Sequence, residues 1–488
     1  MSARLAKWVH HPAGQFALLL LVALVLRCDT FGDPNLHGDE VFYHVIGVAM
    51  HHGAIPYVDI WDRKPFGLFA IFWAIAAISE TPAAYQFAAT LFAAATAWAI
   101  ARIAMRWSGA QGALLAGTLY LLWLGPQQGF GGQSPVFYNA LIALAALLVV
   151  DALPELRAGR VPPKVALAMA LAGAGITVKT TALFEAVFLG LWAAWTLWRG
   201  PTGRRRAVAT VALWAVIGAL PGVAIALGYA GIGHWEEYRH AMIDANLAKA
   251  PDLATAWVRF RMIALLLSPL AALAAFGLAT GARAGRGFIL GWLAAAAIGL
   301  ASFPNFYIHY AMPLTVPLCV AAAPALDRGM TGRLAALLLA LFALMLAPPF
   351  RFEHTRQSRA AMAELAVTVR AHSAGRGLLT FEGPSQLYQL TGQPFPTPLI
   401  FPTHLSALSE KDVSHLSTAE EMRRTLAHSP GVVVIARPIH NGPVNAETQG
   451  MVLRYVGTRC QLVGIRRIYE RLQSIDLAVW GDCRAGPG

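Results

Sequence analysis

The sequence is poor in charged residues. Asp, Glu, Lys and Arg together make up 13% of the 488 residues, about half of the roughly 25% found in soluble globular domains. Because 57% of the residues are hydrophobic, this scarcity excludes a soluble enzyme and a disordered tail protein. The chain is also poor in cysteine, and its four cysteines are too few for a secreted disulfide-rich mini-domain.

Acidic residues are the scarcer of the two charge types. Asp and Glu number 26 against 38 for Lys and Arg, which gives a formal net charge of +12. An excess of this kind is typical of nucleic-acid-binding proteins, but here the charges are thinly spread over an apolar chain. That combination is typical of a bilayer protein whose basic residues set its orientation. We therefore expect membrane lipids around the chain and no nucleic-acid partner.

Long apolar runs recur along the chain. A helix that crosses a bilayer needs about 20 mostly apolar residues. Eleven such spans are predicted, at 14–30, 83–105, 109–125, 135–153, 164–180, 181–198, 207–229, 262–280, 287–303, 310–326 and 333–349. The first span keeps the basic residues Arg4 and Lys7 before it and lacks a small-residue cleavage site, which predicts an anchor and not a signal peptide. A further run at 66–78 is shorter and suits an interfacial or re-entrant segment.

The basic residues predict the orientation of these spans. If 66–78 does not cross, the positively charged connections all fall on one side, namely Arg4/Lys7, Arg102/Arg106, Arg157/Arg160/Lys164, Arg199/Arg204/Arg205/Arg206, Arg283/Arg286 and Arg328/Arg333. Counting 66–78 as a span would place the first two of these groups on opposite sides. Positive residues concentrate on the cytoplasmic side of membrane proteins. The pattern therefore predicts a cytoplasmic N-terminus and an outer C-terminus.

The C-terminal part of the chain has a different composition. A helix is predicted near 358–372 and strands at 377–381, 432–436, 462–469 and 475–480. Cys460 and Cys483 flank the last two strands, and the sequence leaves open whether they form a disulfide. The predicted fold is a mainly α polytopic membrane protein, with a membrane domain at 1–349, outer loops at 31–82 and 230–260, and an outer α/β domain at 350–488.

The first outer loop carries the residues that suggest chemistry. Asp39 and Glu40 precede a predicted helix at 41–50, and Asp62 and Lys64 follow where the loop returns to the membrane. One interpretation is structural: the acids cap a helix, and the lysine extends its ammonium group to the interface. The other is catalytic, with a carboxylate that takes a proton from a hydroxyl and a lysine that stabilises a lipid phosphate.

The loop resembles a known family. Its order is Gly38-Asp39-Glu40-Val-Phe-Tyr43, followed by Gly53-Ala-Ile-Pro56-Tyr57-Val-Asp59-Ile-Trp-Asp62-Arg-Lys64-Pro65. This resembles the first periplasmic loop of the GT-C glycosyltransferases, in the branch of the bacterial relatives of protein O-mannosyltransferases and the lipid A aminoarabinose transferase. The resemblance implies a bacterial inner-membrane enzyme with a periplasmic C-terminal domain that takes a sugar from a polyprenyl phosphate. Asp39 would be the base, Glu40 its acidic neighbour, and Asp62 and Lys64 would bind the donor.

Two further segments extend the resemblance, and a third departs from it. Lys179 lies at an outer membrane end, and the turn with His309 and Tyr310 resembles the aromatic entry to a late helix, which implies donor binding. Glu185 lies deeper, where pairing with a neighbouring helix would explain it. In the stretch 129–139, where many relatives carry an acid, Gln133, Ser134 and Asn139 are neutral, which puts a second acid in doubt.

Together these features predict an inverting glycosyltransferase that transfers a polyprenyl-phosphate-linked sugar to a hydroxyl of an envelope lipid, glycan or protein. No cofactor is certain, and a divalent cation stays open, although His51, His52 and His234 lack the spacing of a metal site. A transporter or flippase for a lipid-linked glycan is the alternative function. The chain has no convincing internal repeat, which disfavours a transporter built from inverted repeats.

Overall fold

The computed structural model describes residues 11–248, 253–439 and 442–485. It divides into two compact units. The bundle unit comprises Met1–Asp29, Phe87–Ile225 and Pro251–Phe350, and the sheet unit comprises Thr30–Gln86, Ala226–Ala250 and Arg351–Gly488. Parts of both predicted outer loops therefore cluster with the C-terminal residues.

Apolar helices make up the bundle unit. They are Pro12–Arg27, Pro82–Ala104, Ala110–Leu124, Ser134–Arg157, Pro163–Val178, Ala182–Trp198, Arg204–Gly231, Leu253–Thr280, Arg286–Ala301, Met312–Leu326 and Gly329–Leu346. Each overlaps one predicted span. Within the described residues, six helices are long and apolar enough to cross a membrane, and the others in this series have 15 to 17 residues. The chain is a multi-pass membrane protein, and the count of eleven spans stays a prediction.

Small residues let these helices pack closely. A Cβ at Gly173 would clash with the carbonyl oxygen of Gly218, and one at Gly277 would clash with that of Ala321. Helices in a bilayer associate through such close contacts, because lipid tails remove the hydrophobic driving force between them. The Ala- and Gly-rich composition of the spans therefore contributes directly to the packing of the bundle.

A buried arginine closes the end of the first helix. Arg27 is 5% exposed, and its guanidinium donates hydrogen bonds to the carbonyl oxygens of Ala89, Gly129, Phe130 and Gly131. A buried cation needs such partners, because desolvation without them is costly. The glycine-rich stretch after the third predicted span therefore provides acceptors for Arg27.

The sheet unit contains a four-stranded sheet. Its strands are β1 (Leu378–Phe381), β2 (Val432–Arg437), β3 (Gln461–Tyr469) and β4 (Ser474–Gly481), in the order β1-β2-β4-β3. β1 and β2 are parallel, and β4 runs antiparallel to both β2 and β3. All four strands and the helix Phe352–His372 were predicted, the helix starting earlier than expected. The helices Leu387–Thr391, Thr418–Ala427 and Ala446–Arg459 were not predicted.

The core of the sheet unit also contains residues from the two loops. Leu379, Val433 and Val452 form part of one buried cluster, which includes Trp61 from the first loop and Ala245 from the second. At the edge of this core Cys460 and Cys483 form a disulfide. Trp61 and Ala245 therefore belong to the packed core of the sheet unit.

Candidate active site

Asp39 and Glu40 lie in the first turn of a helix that runs from Gly38 to His51. The N-cap is His37, whose Nδ1 accepts a hydrogen bond from the backbone N–H of Asp39 at 3.2 Å. The capping role proposed for an acid is thus taken by a histidine. Both carboxylates still lie in the first turn of the helix, where the positive end of the helix dipole attracts negative charge.

The two acids differ in exposure. Glu40 is fully buried at 0% exposure, whereas Asp39 is only partly buried. A base must lie within hydrogen-bonding reach of the group that it deprotonates. Of the pair, Asp39 is therefore the more accessible carboxylate, and Glu40 is enclosed by the surrounding protein.

Tyr43 connects three of the predicted site residues. It is fully buried one turn after Asp39, and the Nζ atom of Lys64 lies 5.3 Å from its ring centroid. Burial raises the pKa of the Tyr43 hydroxyl well above its usual value. The charges of Asp39 and Asp62 raise this pKa further, and that of Lys64 opposes them. Asp39, Asp62 and Lys64 therefore act electrostatically on one side chain.

Tyr57 holds the backbone of Lys64. Its hydroxyl donates a hydrogen bond to the Lys64 carbonyl oxygen at 2.8 Å, and its side chain is fully buried. Its φ is +72°, a value that a non-glycine residue adopts only when the surroundings compensate for the strain. The compensation comes from packing against Tyr229 and Tyr238, whose rings stack on each other at 4.8 Å.

The residues next to Lys64 are tied to the sheet. The buried Asp62 carboxylate accepts the backbone N–H of Arg63 at 2.6 Å. Arg63 in turn forms an ion pair with Glu410 at 2.8 Å, and the N–H of Trp61 donates to the carbonyl oxygen of Pro398 at 3.0 Å. These contacts fix the loop that carries Lys64 on a rigid support.

A third acid near Asp39 comes from the connection between β3 and β4. The Oε1 atom of Glu470 lies 3.7 Å from the position that a Cβ would take at Gly38. Burial raises the pKa of Glu470, the hydrogen bond from Gln473 opposes this, and the Asp39 charge adds to it. The turn is fastened to the first loop because the N–H of Arg471 donates to the carbonyl oxygen of Leu36 at 3.2 Å.

The bundle unit brings together the remaining predicted donor-binding residues. Lys179 lies over the ring of Tyr310, with Nζ 4.8 Å from its centroid, and the ring of His309 stacks on Tyr307. Arg259 lies 4.3 Å from the ring centroid of Tyr307. This arginine was not predicted as a site residue, although its position at the end of the second predicted outer loop was a signal.

Glu185 lies beside a small cavity in the same unit. Its Oε1 atom accepts a hydrogen bond from the indole N–H of Trp292 at 2.7 Å, so it does pair with a neighbouring helix. Lys179, Tyr138 and Tyr310 also line this cavity, whose volume of about 10 Å³ is room for roughly one water molecule.

The neutral stretch that departs from the family pattern has structural partners. Gln133 is buried, Ser134 begins a helix, and the side-chain amide of Asn139 donates to the Tyr120 hydroxyl at 3.3 Å. Among the described residues of this stretch there is no carboxylate, so its polar side chains make neutral contacts within the bundle unit.

Solved structures match the chain over almost its whole length. ArnT from Cupriavidus metallidurans bound to undecaprenyl phosphate superimposes with a TM-score of 0.63 at 14% identity, covering 97% of this chain and 99% of that one. The apo state of the same protein gives a TM-score of 0.62 at 15% identity, with coverages of 98% and 99%. The chain has the GT-C fold.

This fold confirms the predicted class, a polytopic helical protein with a C-terminal α/β domain. No protein-family model matches the sequence, and no curated protein matches it significantly. At 14–15% identity the likeness establishes the GT-C fold, while substrates and catalytic residues have to be argued from the site itself.

Proposed function

We propose that this protein is a membrane glycosyltransferase that moves a sugar from a polyprenyl phosphate to an acceptor hydroxyl. The observation that carries the proposal is the arrangement around Tyr43: the partly exposed Asp39 lies one helical turn before it, and the Nζ atom of Lys64 lies 5.3 Å from its ring centroid. A base and a cation held in one site are what a displacement with a phosphate leaving group requires.

The proposed reaction is a single displacement at the anomeric carbon. Asp39 takes the proton of the acceptor hydroxyl while the new C–O bond forms and the bond to the phosphate oxygen breaks. Lys64 compensates the charge that remains on the polyprenyl phosphate, so no separate acid is needed. A single displacement inverts the configuration of the anomeric carbon. Glu40, the buried neighbour of Asp39 in the same helical turn, adds a second negative charge beside the base.

We also assign donor binding to Lys179, His309 and Tyr310, and we add Arg259 to this group. The four residues put two permanent cations and a histidine among aromatic rings in the bundle unit, a composition suited to a phosphate attached to a lipid. ArnT, which has the same fold, binds undecaprenyl phosphate, and this supports a polyprenyl phosphate as the carrier.

The location follows from the charge pattern. We place the basic connections in the cytoplasm, the sheet unit in the periplasm, and the reaction at the outer face of a bacterial inner membrane. The acceptor would then be a lipid, glycan or protein of the cell envelope.

Asp39→Asn tests the proposed base. Asparagine keeps the shape of the side chain but cannot accept the proton at neutral pH, so transfer from a panel of polyprenyl-phosphate sugars should fall by about 10²–10⁴-fold. Radiolabelled sugar incorporated into the acceptor fraction of membranes measures the effect.

Asp59→Asn is the matched control. Asp59 is exposed in the same loop, where its Oδ2 atom accepts the backbone N–H of Ile55 at 2.7 Å, and its substitution should leave transfer within about threefold of the wild type. Near-normal transfer by a well-folded Asp39→Asn variant would remove Asp39 as the base.

A further inference from the structure

A groove runs along two consecutive helices of the bundle unit. It has a volume of about 890 Å³, near the upper end of the roughly 300–1,000 Å³ typical of ligand sites. One wall is aromatic and belongs to Ala182–Trp198, and the other consists of small side chains from Arg204–Gly231. The residues include Phe188, Trp192, Trp195 and Trp198 on the first wall, and Ala207 and Val211 on the second.

The walls of the groove suit hydrocarbon chains. Trp195 and Trp198 are 53% and 51% exposed, and the small residues opposite leave the space between the helices open. Tryptophan is enriched where membrane proteins meet lipid head groups. The aromatic end of the groove therefore marks one membrane surface.

The same end of the groove is strongly basic. Arg199 follows the first helix and Arg204, Arg205 and Arg206 begin the second, and all four are exposed. The guanidinium of Arg199 lies 4.2 Å from the ring centroid of Trp195, so one positive charge sits directly on the aromatic wall.

The positive charge at this end of the groove would attract an anion. Three arginines in the first turn of a helix repel its positive dipole end, and an anion held there relieves this repulsion. Within the described part of the chain none of the four arginines forms an ion pair with a carboxylate, and the acids Asp151 and Glu155 pair with Arg106 and Lys164.

We infer that this groove binds an anionic glycerophospholipid, with its phosphate at Arg199 and Arg204 and its acyl chains along the aromatic wall. Basic pockets between membrane helices bind such head groups. The site is distinct from the proposed donor residues. Lys179 and Arg199 lie at opposite ends of the helix Ala182–Trp198. This helix has 17 residues, so its two ends are roughly 26 Å apart.

Lipid titration of the full-length protein, monitored by native mass spectrometry, tests the site. Phosphatidylglycerol should bind at least about tenfold more tightly than phosphatidylcholine with the same acyl chains, because several arginines act on one phosphate. The double variant Arg199→Gln/Arg204→Gln should lose this preference. Ala212→Trp, which fills the groove from the small-residue wall, should weaken both lipids.

The matched control is Arg283→Gln/Arg328→Gln, which removes the same charge at other helix connections and should keep the preference. Melting temperatures close to wild type will show that the variants are folded. Equal affinity for the two lipids, a preference that survives Arg199→Gln/Arg204→Gln, or displacement of the bound lipid by polyprenyl phosphate would each overturn the inference. So would a dimer in which a second copy fills the groove.

Discussion

At the scale of single residues, the contacts around each side chain determine where its charged group can lie. Lys64 illustrates this. As an isolated lysine near a membrane it would extend to the interface, but its ammonium group lies against Tyr43 and its carbonyl is held by the Tyr57 hydroxyl. Both contacts limit the positions that the charge can occupy. A cation held in place stabilises a leaving group better than a mobile one, because no reorganisation is needed during the reaction.

Tyr57→Phe should therefore impair use of the donor. The substitution removes the hydrogen bond to the Lys64 carbonyl oxygen and keeps the contacts of the ring with Tyr229 and Tyr238. A lost buried hydrogen bond is worth roughly 1 kcal/mol, so the KM for the polyprenyl-phosphate sugar should rise about fivefold. The kcat and the KM for the acceptor should change little, as steady-state kinetics in detergent will measure.

Tyr388→Phe controls for the loss of a buried tyrosine hydroxyl. The Tyr388 hydroxyl accepts the backbone N–H of Thr380 in β1 at 3.0 Å, so its removal should affect the stability of the sheet and leave donor KM unchanged. If Tyr57→Phe raises the KM values of donor and acceptor equally, or if Tyr388→Phe produces the same donor effect, the role assigned to Tyr57 is wrong.

At the scale of helices and strands, the local pattern of hydrophobic residues predicted the elements that this pattern determines. The eleven helices given above for the bundle unit and the four strands follow from runs of hydrophobic residues. The helices Thr418–Ala427 and Ala446–Arg459 were not predicted, because their polar faces interrupt the apolar pattern. The helix after Asp39 was expected at 41–50 but begins at Gly38, since His37 and not an acid provides the cap.

The parts of the site that were not predicted depend on distant contacts. The acids and Lys64 could be proposed from one continuous loop motif. Glu470 lies near Gly38 in a turn whose Arg471 N–H donates to the Leu36 carbonyl oxygen, and Arg259 lies over the ring of Tyr307. These contacts could not be predicted from the spacing of residues along the sequence, because they form only when each unit folds.

The disulfide is an element-scale feature that can be tested directly. Cys460 and Cys483 are 23 residues apart and close a loop around β3 and β4. A cross-link of this length stabilises a domain by about 3 kcal/mol. Cys460→Ser/Cys483→Ser should therefore increase proteolysis of the sheet unit by roughly 100-fold, where opening before cleavage is at equilibrium.

Cys28→Ser serves as the comparison, because Cys28 is a free cysteine in the bundle unit. It should leave proteolysis of the sheet unit unchanged. Equal cleavage rates for the double variant and the wild type would mean that the disulfide does not stabilise this unit.

At the scale of the whole molecule, we predict that the excess of basic residues behind the net charge of +12 sets the orientation of the chain in the membrane. The basic connections between helices collect on one predicted side, and the acids Asp39 and Glu40 lie in a loop of the other. The division into units agrees with the proposed roles, because the first loop and the C-terminal residues share one core through Trp61. The sheet unit therefore supports the loop that carries the proposed base.

Site-directed labelling tests this orientation. Cysteines are introduced at Gly203, in the arginine-rich connection, and at the exposed Gln357 of the sheet unit, in a chain without Cys28 and Cys319. A Cβ at Gly203 has open space around it, so the substitution is tolerated. In spheroplasts a membrane-impermeant maleimide should label Gln357→Cys at once and Gly203→Cys only after lysis. The reverse pattern would invert the proposed topology.

The central claim is that the protein breaks the bond between a sugar and a polyprenyl phosphate. The most direct measurement reconstitutes the purified protein in vesicles with a labelled polyprenyl-phosphate sugar and follows the free polyprenyl phosphate by mass spectrometry. We predict release that requires an acceptor extract and Asp39, with the product sugar inverted at its anomeric carbon. Movement of the intact donor between leaflets without any release would contradict the account and identify a flippase.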